Sequence, residues 1–181
     1  HAILYNKLLP VFADVDETGC LDPKEIEKKI TKNTKAIIFV GLGGNSGKLN
    51  QVIKLAKEKN LKLILDAAHM SGSLWKDTRK QIGCNGEVDV AVFSGQAVKN
   101  LPTADSGWIC WNGEDALEQD ALTRKLSWLG IDKDTYSRTK SQGSYKWYQD
   151  NGRLKLAAQN KVFAILWGGG NSTTVINNSL P

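Results

Sequence analysis

The sequence predicts an α/β protein built as three layers, α/β/α, around a mostly parallel sheet, and two observations lead there. Two short apolar runs each stop at a polar group: residues 62–65 close on Asp66, and residues 88–93 close on Ser94. Such runs are the pattern of buried parallel strands. Apolar runs also alternate with helical stretches, and strand, helix, strand is the connection that sets neighbouring strands parallel.

Each element has its own signal. AILYNKLL places Ile3, Leu4 and Leu8 at helical spacing, and Pro10 ends that helix. PVFADV follows as a strand, with Asp14 and Asp16 at its end. Two acids in an exposed turn are more often solvated than metal-bound, so no metal site is expected. Asp22-Pro23-Lys24-Glu25 is a helix start, with Asp22 as cap, Pro23 in the first turn and Glu25 three residues after the cap. Ile26 and Ile30 then share an inward stripe. AIIFV is a buried strand, and a helix over residues 51–59 puts Val52, Leu55 and Ala56 on one face. Residues 108–111 return as a strand, and residues 113–128 form a helix with Leu117, Ala121, Leu122, Lys125 and Leu126 as a partly apolar stripe. Residues 130–150 are polar and read as a long loop whose Tyr136, Arg138, Tyr145, Trp147 and Tyr148 either reach a substrate or pack. VFAILW reads as one buried strand and GGGNSTT as a loop.

GLGGNSGK invites a phosphate-loop reading and fails it. The glycine required five places before Gly47 is Leu42, and the residue after Lys48 is Leu49 where Ser or Thr is needed. Gly41, Gly43, Gly44 and Gly47 are therefore expected as turn residues, and a nucleotide-binding role is disfavoured.

Composition excludes several function classes. At 181 residues the chain suffices for one domain. The net charge of +5 comes from 24 basic against 19 acidic residues, but the lysines are spread along helices among acids and apolar residues. That is a solvated face, and no nucleic-acid partner is expected. Cys20, Cys84 and Cys110 are odd in number and lack metal-type spacing, so free thiols in a reducing cytoplasm are expected. No stretch approaches the roughly eighteen apolar residues of a membrane span. No signal peptide is read at the amino end, and the triplets at Asn171 and Asn177 are taken as chance glycosylation matches.

Four residues carry chemistry. Asp66, His69, Ser94 and Lys99 are predicted at or just beyond the carboxyl ends of neighbouring strands, where open α/β sheets bind ligands. An acid, an imidazole, a hydroxyl and an amine then line one crevice. Pyridoxal 5'-phosphate calls for such a set: a lysine to attach to its aldehyde, and a carboxylate to keep the pyridine nitrogen protonated so that the ring acts as an electron sink. Lys99 and Asp66 fit those roles. Each has a plainer reading: Asp66 as a helix cap, His69 as a packing residue, Ser94 as a turn former, and Lys99 as an exposed lysine. Against the last, no other cation occurs in VAVFSGQAVKNLPTADSG.

The ordered segments PVFADVD, LDPKEIEKKITKNTKAIIFV, LILDAAHMSG and VAVFSGQAVKNLPTADSGWIC resemble the DegT/DnrJ/EryC1/StrS sugar aminotransferases, fold type I pyridoxal phosphate enzymes with an aspartate aminotransferase-like large domain. The likeness covers residues 2–147, so residues 1–147 are expected as part of that large domain and residues 148–181 as a tail outside it. It implies that the chain is a fragment. It also implies roles: Lys99 catalytic, with Asp66, His69, Ser94 and Lys99 holding the cofactor, His69 at the ring face or 3-oxygen and Ser94 on the phosphate. Gly95 and Gln96 depart from the family, which often has an aromatic and a histidine there, and Ser106 stands where glycine is usual. The implied reaction is ping-pong transfer of an amino group from glutamate to a keto-sugar, nucleotide-linked, in a cytoplasmic homodimer of the complete protein. Alternatives are another fold type I enzyme, a lyase or cysteine desulfurase, or a fragment that keeps the fold without turnover.

Overall fold

The computed structural model describes residues 1–127. They fall in two compact units: Val11–Ala116, which holds the sheet, and a second to which His1–Pro10 and residues 117–127 belong. The expected boundary at residue 147, the long loop with Tyr136, Arg138, Tyr145, Trp147 and Tyr148, and the strand VFAILW lie outside the described residues.

Within Val11–Ala116 the order is α2 (Pro23–Lys29), β1 (Ala36–Val40), a 3-10 turn (Leu42–Gly44), α3 (Leu49–Glu58), β2 (Lys62–Asp66), β3 (Val90–Ser94) and β4 (Gly107–Trp111). The four strands form one sheet in the order β1-β2-β3-β4. The pairs β1–β2 and β2–β3 are parallel and β3–β4 is antiparallel. The sheet is thus mostly parallel, as the apolar runs imply.

α2 starts where the cap signal places it: the Asp22 side chain accepts the Lys24 N–H at 2.9 Å, and Pro23 opens the first turn. Glu25 pairs with Lys28 at 2.6 Å and so serves the helix surface. α3 buries Leu49, Val52, Leu55 and Ala56 against β1 and β2, and α2 packs on α3. The core joins Ile26, Ile37, Phe39, Val52, Leu63, Leu65, Met70, Ala91 and Phe93. β1 departs from the fully buried expectation. Ile37 and Phe39 turn inward, while Ile38 and Val40 are 38% and 42% exposed on the other face.

PVFADV is a correction. It forms no strand, only an isolated bridge between Val15 and Leu21, and Val11 and Phe12 are 61% and 84% exposed. A β-forming composition makes a strand only where a neighbouring strand takes up its hydrogen bonds. Asp16 is a second correction, since its side chain is only 1% exposed. Lys48 Nζ lies 3.0 Å from Asp16, 3.6 Å from Asp22 and 4.0 Å from Glu17. Asp16 also accepts the Thr18 N–H at 2.9 Å and the Thr18 hydroxyl at 2.5 Å. The lysine that imitated a phosphate-loop residue is therefore a clasp fastening the glycine turn to the segment before α2. Gly43, Gly44 and Gly47 have φ of 62°, 83° and 47°, the positive values that turn needs.

The clasp predicts a pH dependence. The Thr18 hydroxyl, then Lys48 and the Thr18 amide, hold the Asp16 carboxyl down to about 2 from its ordinary 3.8. A depressed folded value means that the stabilisation is complete above 3.8 and is lost as pH falls towards about 2. Denaturant titrations stepped from pH 5 to pH 2 should show stability falling across that window, with a shallower fall in Asp16→Asn.

Among residues of the other unit, α1 (Ala2–Tyr5) is a single turn, closed where the Asn6 N–H donates to Ala2 and Ile3 carbonyls at 3.3 and 3.1 Å. α4 (Ala116–Ser127), whose first residue belongs to the sheet unit, starts three residues after the expected 113, and its buried residues are Gln119 and Thr123 while Leu117 is 87% exposed. Apolar and polar residues are too mixed along this helix to dictate which face turns inward. No helix among the described residues is long and apolar enough to cross a membrane.

Candidate active site

Because β1, β2 and β3 run the same way, they deliver their last residues to one edge of the sheet. Val40 is registered with Asp66, and Asp66 with Val92. Backbone bonds hold the turns there: the Gly41 N–H donates to the Asp66 carbonyl at 3.0 Å, and the Ala67 N–H to the Val92 carbonyl at 2.8 Å. Gly41 has no room for a side chain, since a Cβ would fall 2.0 Å from the sulfur of buried Met70.

Asp66 ends β2 half-buried. Its Oδ1 accepts the Ala68 N–H at 3.1 Å, which closes a turn where the helix-cap reading expects a helix. That bond occupies one oxygen; Oδ2 has no partner among the described residues and is available to an N–H donor.

His69 lies in the turn that follows, where the Met70 N–H donates to the Ala67 carbonyl at 2.8 Å. Its Nδ1 accepts the Gly43 N–H at 3.2 Å, and its Nε2 lies 3.1 Å from Lys99 Nζ. Nδ1 is thus used as an acceptor, and the tautomer of the ring decides which of Nε2 and Lys99 Nζ donates to the other. The glycine turn after β1 thus sets the imidazole, and the imidazole meets the lysine.

Lys99 stands on the connection between antiparallel β3 and β4. The Gly95 N–H donates to the Ser106 carbonyl, the Thr103 N–H to the Gly95 carbonyl and the Lys99 N–H to the Gln96 carbonyl, each at 2.8 Å. The Asn100 side-chain amide donates to the Ser71 carbonyl, tying this connection to the turn after Asp66. Asn100 escaped the sequence reading, its only signal being a polar residue beside the lysine. Lys99 is half-buried although its neighbours Val98 and Asn100 are exposed. Ser94, at the end of β3, accepts the Gln96 N–H at 3.3 Å, a bond within its own turn. The structure therefore joins His69 to Lys99 directly and sets Asp66 and Ser94 at the ends of adjacent strands.

The departure at Gly95 has a steric reason. A Cβ there would lie 2.5 Å from Thr103 Oγ1, 2.6 Å from Ser106 Oγ and 3.1 Å from the Trp108 ring, which stacks on Phe93 at 5.6 Å. Ser106 in place of the family's glycine fills the space that a side chain at position 95 would take. Gly95→Ala should lower the unfolding free energy by about 1–3 kcal/mol, the cost of overpacking. Gly95→Ala with Ser106→Gly should recover part of it in urea titrations.

A cavity of about 340 Å³ opens at the opposite, amino-terminal ends of β2 and β3, lined by Leu61, Lys62, Val88 and Asp89 among others. None of the four chemical residues borders it, and its Lys62 and Asp89 neutralise each other at 2.6 Å. The donor set, not the size of that hollow, marks the candidate site. A half-buried primary amine and a carboxylate with one oxygen to spare are the groups that an aldehyde and a ring nitrogen require, so the residues present fit pyridoxal 5'-phosphate.

The DegT/DnrJ/EryC1/StrS aminotransferase family matches residues 1–155, a span that contains every element of the described sheet and all four residues. The chain belongs to this family. GDP-perosamine synthase of Escherichia coli O157:H7 is 37% identical over 113 residues, covering 62% of this chain and 30% of that protein. PseC of Helicobacter pylori, an aminotransferase involved in pseudoaminic acid biosynthesis, superposes with a TM-score of 0.64 at 31% identity, over 84% of this chain and 38% of its own. NtdA of Bacillus subtilis, solved with bound cofactor PMP, has a TM-score of 0.57 at 25% identity, over 72% of this chain and 28% of its own. The α/β fold inferred from the apolar runs is thus the fold of these aminotransferases. This member of the family spans between 30% and 37% of the length of the curated relatives it matches.

Proposed function

We propose that the whole protein is a pyridoxal phosphate-dependent aminotransferase that converts a nucleotide-linked keto-sugar into an amino-sugar with glutamate as donor, acting as a cytoplasmic homodimer. This chain supplies Asp66, His69, Ser94 and Lys99 to its site. The observation that carries the reading is the 3.1 Å approach of Lys99 Nζ to His69 Nε2 beside the strand end that bears Asp66.

Bound there, pyridoxal 5'-phosphate supplies an aldehyde that takes an amine and a ring that draws electrons from the adjoining carbon. Lys99 Nζ would hold the aldehyde end. Asp66 Oδ2 would accept the ring N–H and keep that nitrogen positive, while Oδ1 stays fixed by the Ala68 amide. The Ser94 hydroxyl would donate to the phosphate. During transfer the freed Lys99 amine would take a proton from the donor's α-carbon and deliver it to the carbon that had carried the cofactor's aldehyde, which is general acid–base catalysis by a positioned amine. His69, held at Nδ1 by the Gly43 amide, orients that amine through Nε2. The nucleotide-linked substrate class is supported by the name of GDP-perosamine synthase, at 37% identity.

Reductive trapping tests the assignment. The chain is mixed with pyridoxal 5'-phosphate, reduced with borohydride and mapped by mass spectrometry. The label should sit on Lys99 and fall at least about tenfold in His69→Ala, which removes the group that positions the amine. Equal labelling across the surface lysines overturns the site.

A further inference from the structure

Two of the three cysteines, unrelated in sequence, meet in the fold. Cys84, on the loop before β3, and Cys110, on β4, are 26 positions apart, yet their sulfurs lie 2.7 Å from each other. That is well inside ordinary non-bonded contact and within about 0.7 Å of a disulfide bond of about 2.05 Å. Both are free thiols and both are half-buried.

The surroundings hold the pair in place. The Asn112 side chain, just past β4, donates to the Gly83 carbonyl at 3.0 Å and accepts the Gly86 N–H at 3.2 Å, clamping the loop on both sides of Cys84. The Glu87 carboxylate folds back to accept the Gly83 N–H at 2.6 Å, the Asn85 N–H at 2.8 Å and the Trp75 indole N–H at 3.1 Å. On the other side, Cys110 is fixed by its register with Ala91 of β3. A bridge here needs no segment to be brought from a distance, and the ordering that disulfide closure requires is already present in the loop.

We propose that Cys84 and Cys110 are an oxidative modification site, which closes to a reversible intrachain disulfide on exposure to a small disulfide such as oxidised glutathione. The exchange balances in two steps. A protein thiolate attacks the small disulfide, forming a mixed disulfide and releasing one small thiol. The second protein thiolate then attacks the protein sulfur of that mixed disulfide, forming the Cys84–Cys110 bond and releasing the other small thiol. Two electrons pass from the protein to the oxidant, which leaves as two thiols carrying the two protons. Burial, then the adjoining Cys110 thiol, pushes the Cys84 thiol up to about 12, so little thiolate is present at neutral pH and closure is slow. Cys20 is not a competitor, being buried with its sulfur directed at the Asn45 carbonyl at 3.5 Å.

The bridge would staple the Gly83–Glu87 turn region to β4 and so bracket β3, whose far end carries Ser94 and leads to Lys99. It is independent of the catalytic reading.

The test uses the full 181-residue chain. After incubation with millimolar oxidised glutathione, the thiols counted in denaturant should fall from three to one, the mass should drop by about 2 Da, and digestion should yield peptides joining Cys84 to Cys110. The melting temperature should rise by about 5 °C or more and return on adding dithiothreitol. Cys20→Ser should keep the linked peptides and the shift; Cys84→Ser and Cys110→Ser should lose both. Glutathione adducts without an intrachain link, or a link that includes Cys20, would overturn the proposal, and the peptide map of the unsubstituted chain decides this even if a serine variant fails to fold.

Discussion

Lys99→Ala is expected to abolish trapping of pyridoxal 5'-phosphate on this chain. In the complete enzyme it should cut turnover at least about a thousandfold, since one side chain both holds the cofactor and moves the proton. Lys99→Arg should fail equally: the guanidinium keeps the charge but has no free amine to offer an aldehyde. Asp66→Asn separates the two halves of the proposed site. It leaves Lys99 and its 3.1 Å contact with His69 in place, so trapping should persist. The ring nitrogen would lose its anionic partner, and turnover should fall by about two to three orders of magnitude. Trapping measured on the chain and amino-transfer rates measured on the complete protein check both arms. Retained turnover in Lys99→Ala would remove the lysine from the mechanism whatever its neighbours.

Gly83→Ala should be the most damaging small change to the fold. Gly83 has φ of +91°, and a Cβ there would lie 2.7 Å from Ala91 Cβ and 2.9 Å from a Leu65 methyl. Both neighbours are fully buried on β3 and β2, and a Cβ cannot move without its strand. Positive φ costs an L-residue about 1–2 kcal/mol, and overpacking adds about 1–3 kcal/mol. A loss of about 2–5 kcal/mol is therefore expected. Gly86→Ala isolates the backbone part, because Gly86 has φ of +81° and no atom within 4 Å of its would-be Cβ. Urea titrations should show a smaller midpoint shift for Gly86→Ala than for Gly83→Ala, with the slope unchanged in both. Equal losses would mean that packing over β3 is looser than the contacts indicate.

The elements legible from sequence were those with a local cause. The Asp22 cap, the apolar face of α3 and the runs ending at Asp66 and Ser94 all act within a few residues, and each appears where its signal stands. The failures were non-local. PVFADV has a strand's composition but no partner strand, Asp16 reads as an exposed acid until Lys48 arrives from 32 positions away, and the inward face of α4 depends on what packs against it. Likewise, Asn100, which anchors the lysine's loop to the Ser71 carbonyl, is one more polar residue until the two turns are brought together.

By itself, the order of residues determined the mostly parallel sheet and the family to which the chain belongs, because hydrophobic period, caps and strand ends are encoded in neighbours along the chain. It also put Asp66 and Ser94 at the ends of strands, with His69 and Lys99 just beyond them. Only the tertiary structure decided which side chains touch: His69 with Gly43 and Lys99, Lys48 with Asp16, Cys84 with Cys110. Those contacts join residues 26 to 32 positions apart. Their distances follow from strand register and turn geometry, which arise when the sheet closes around its core and have no counterpart in any short stretch of sequence.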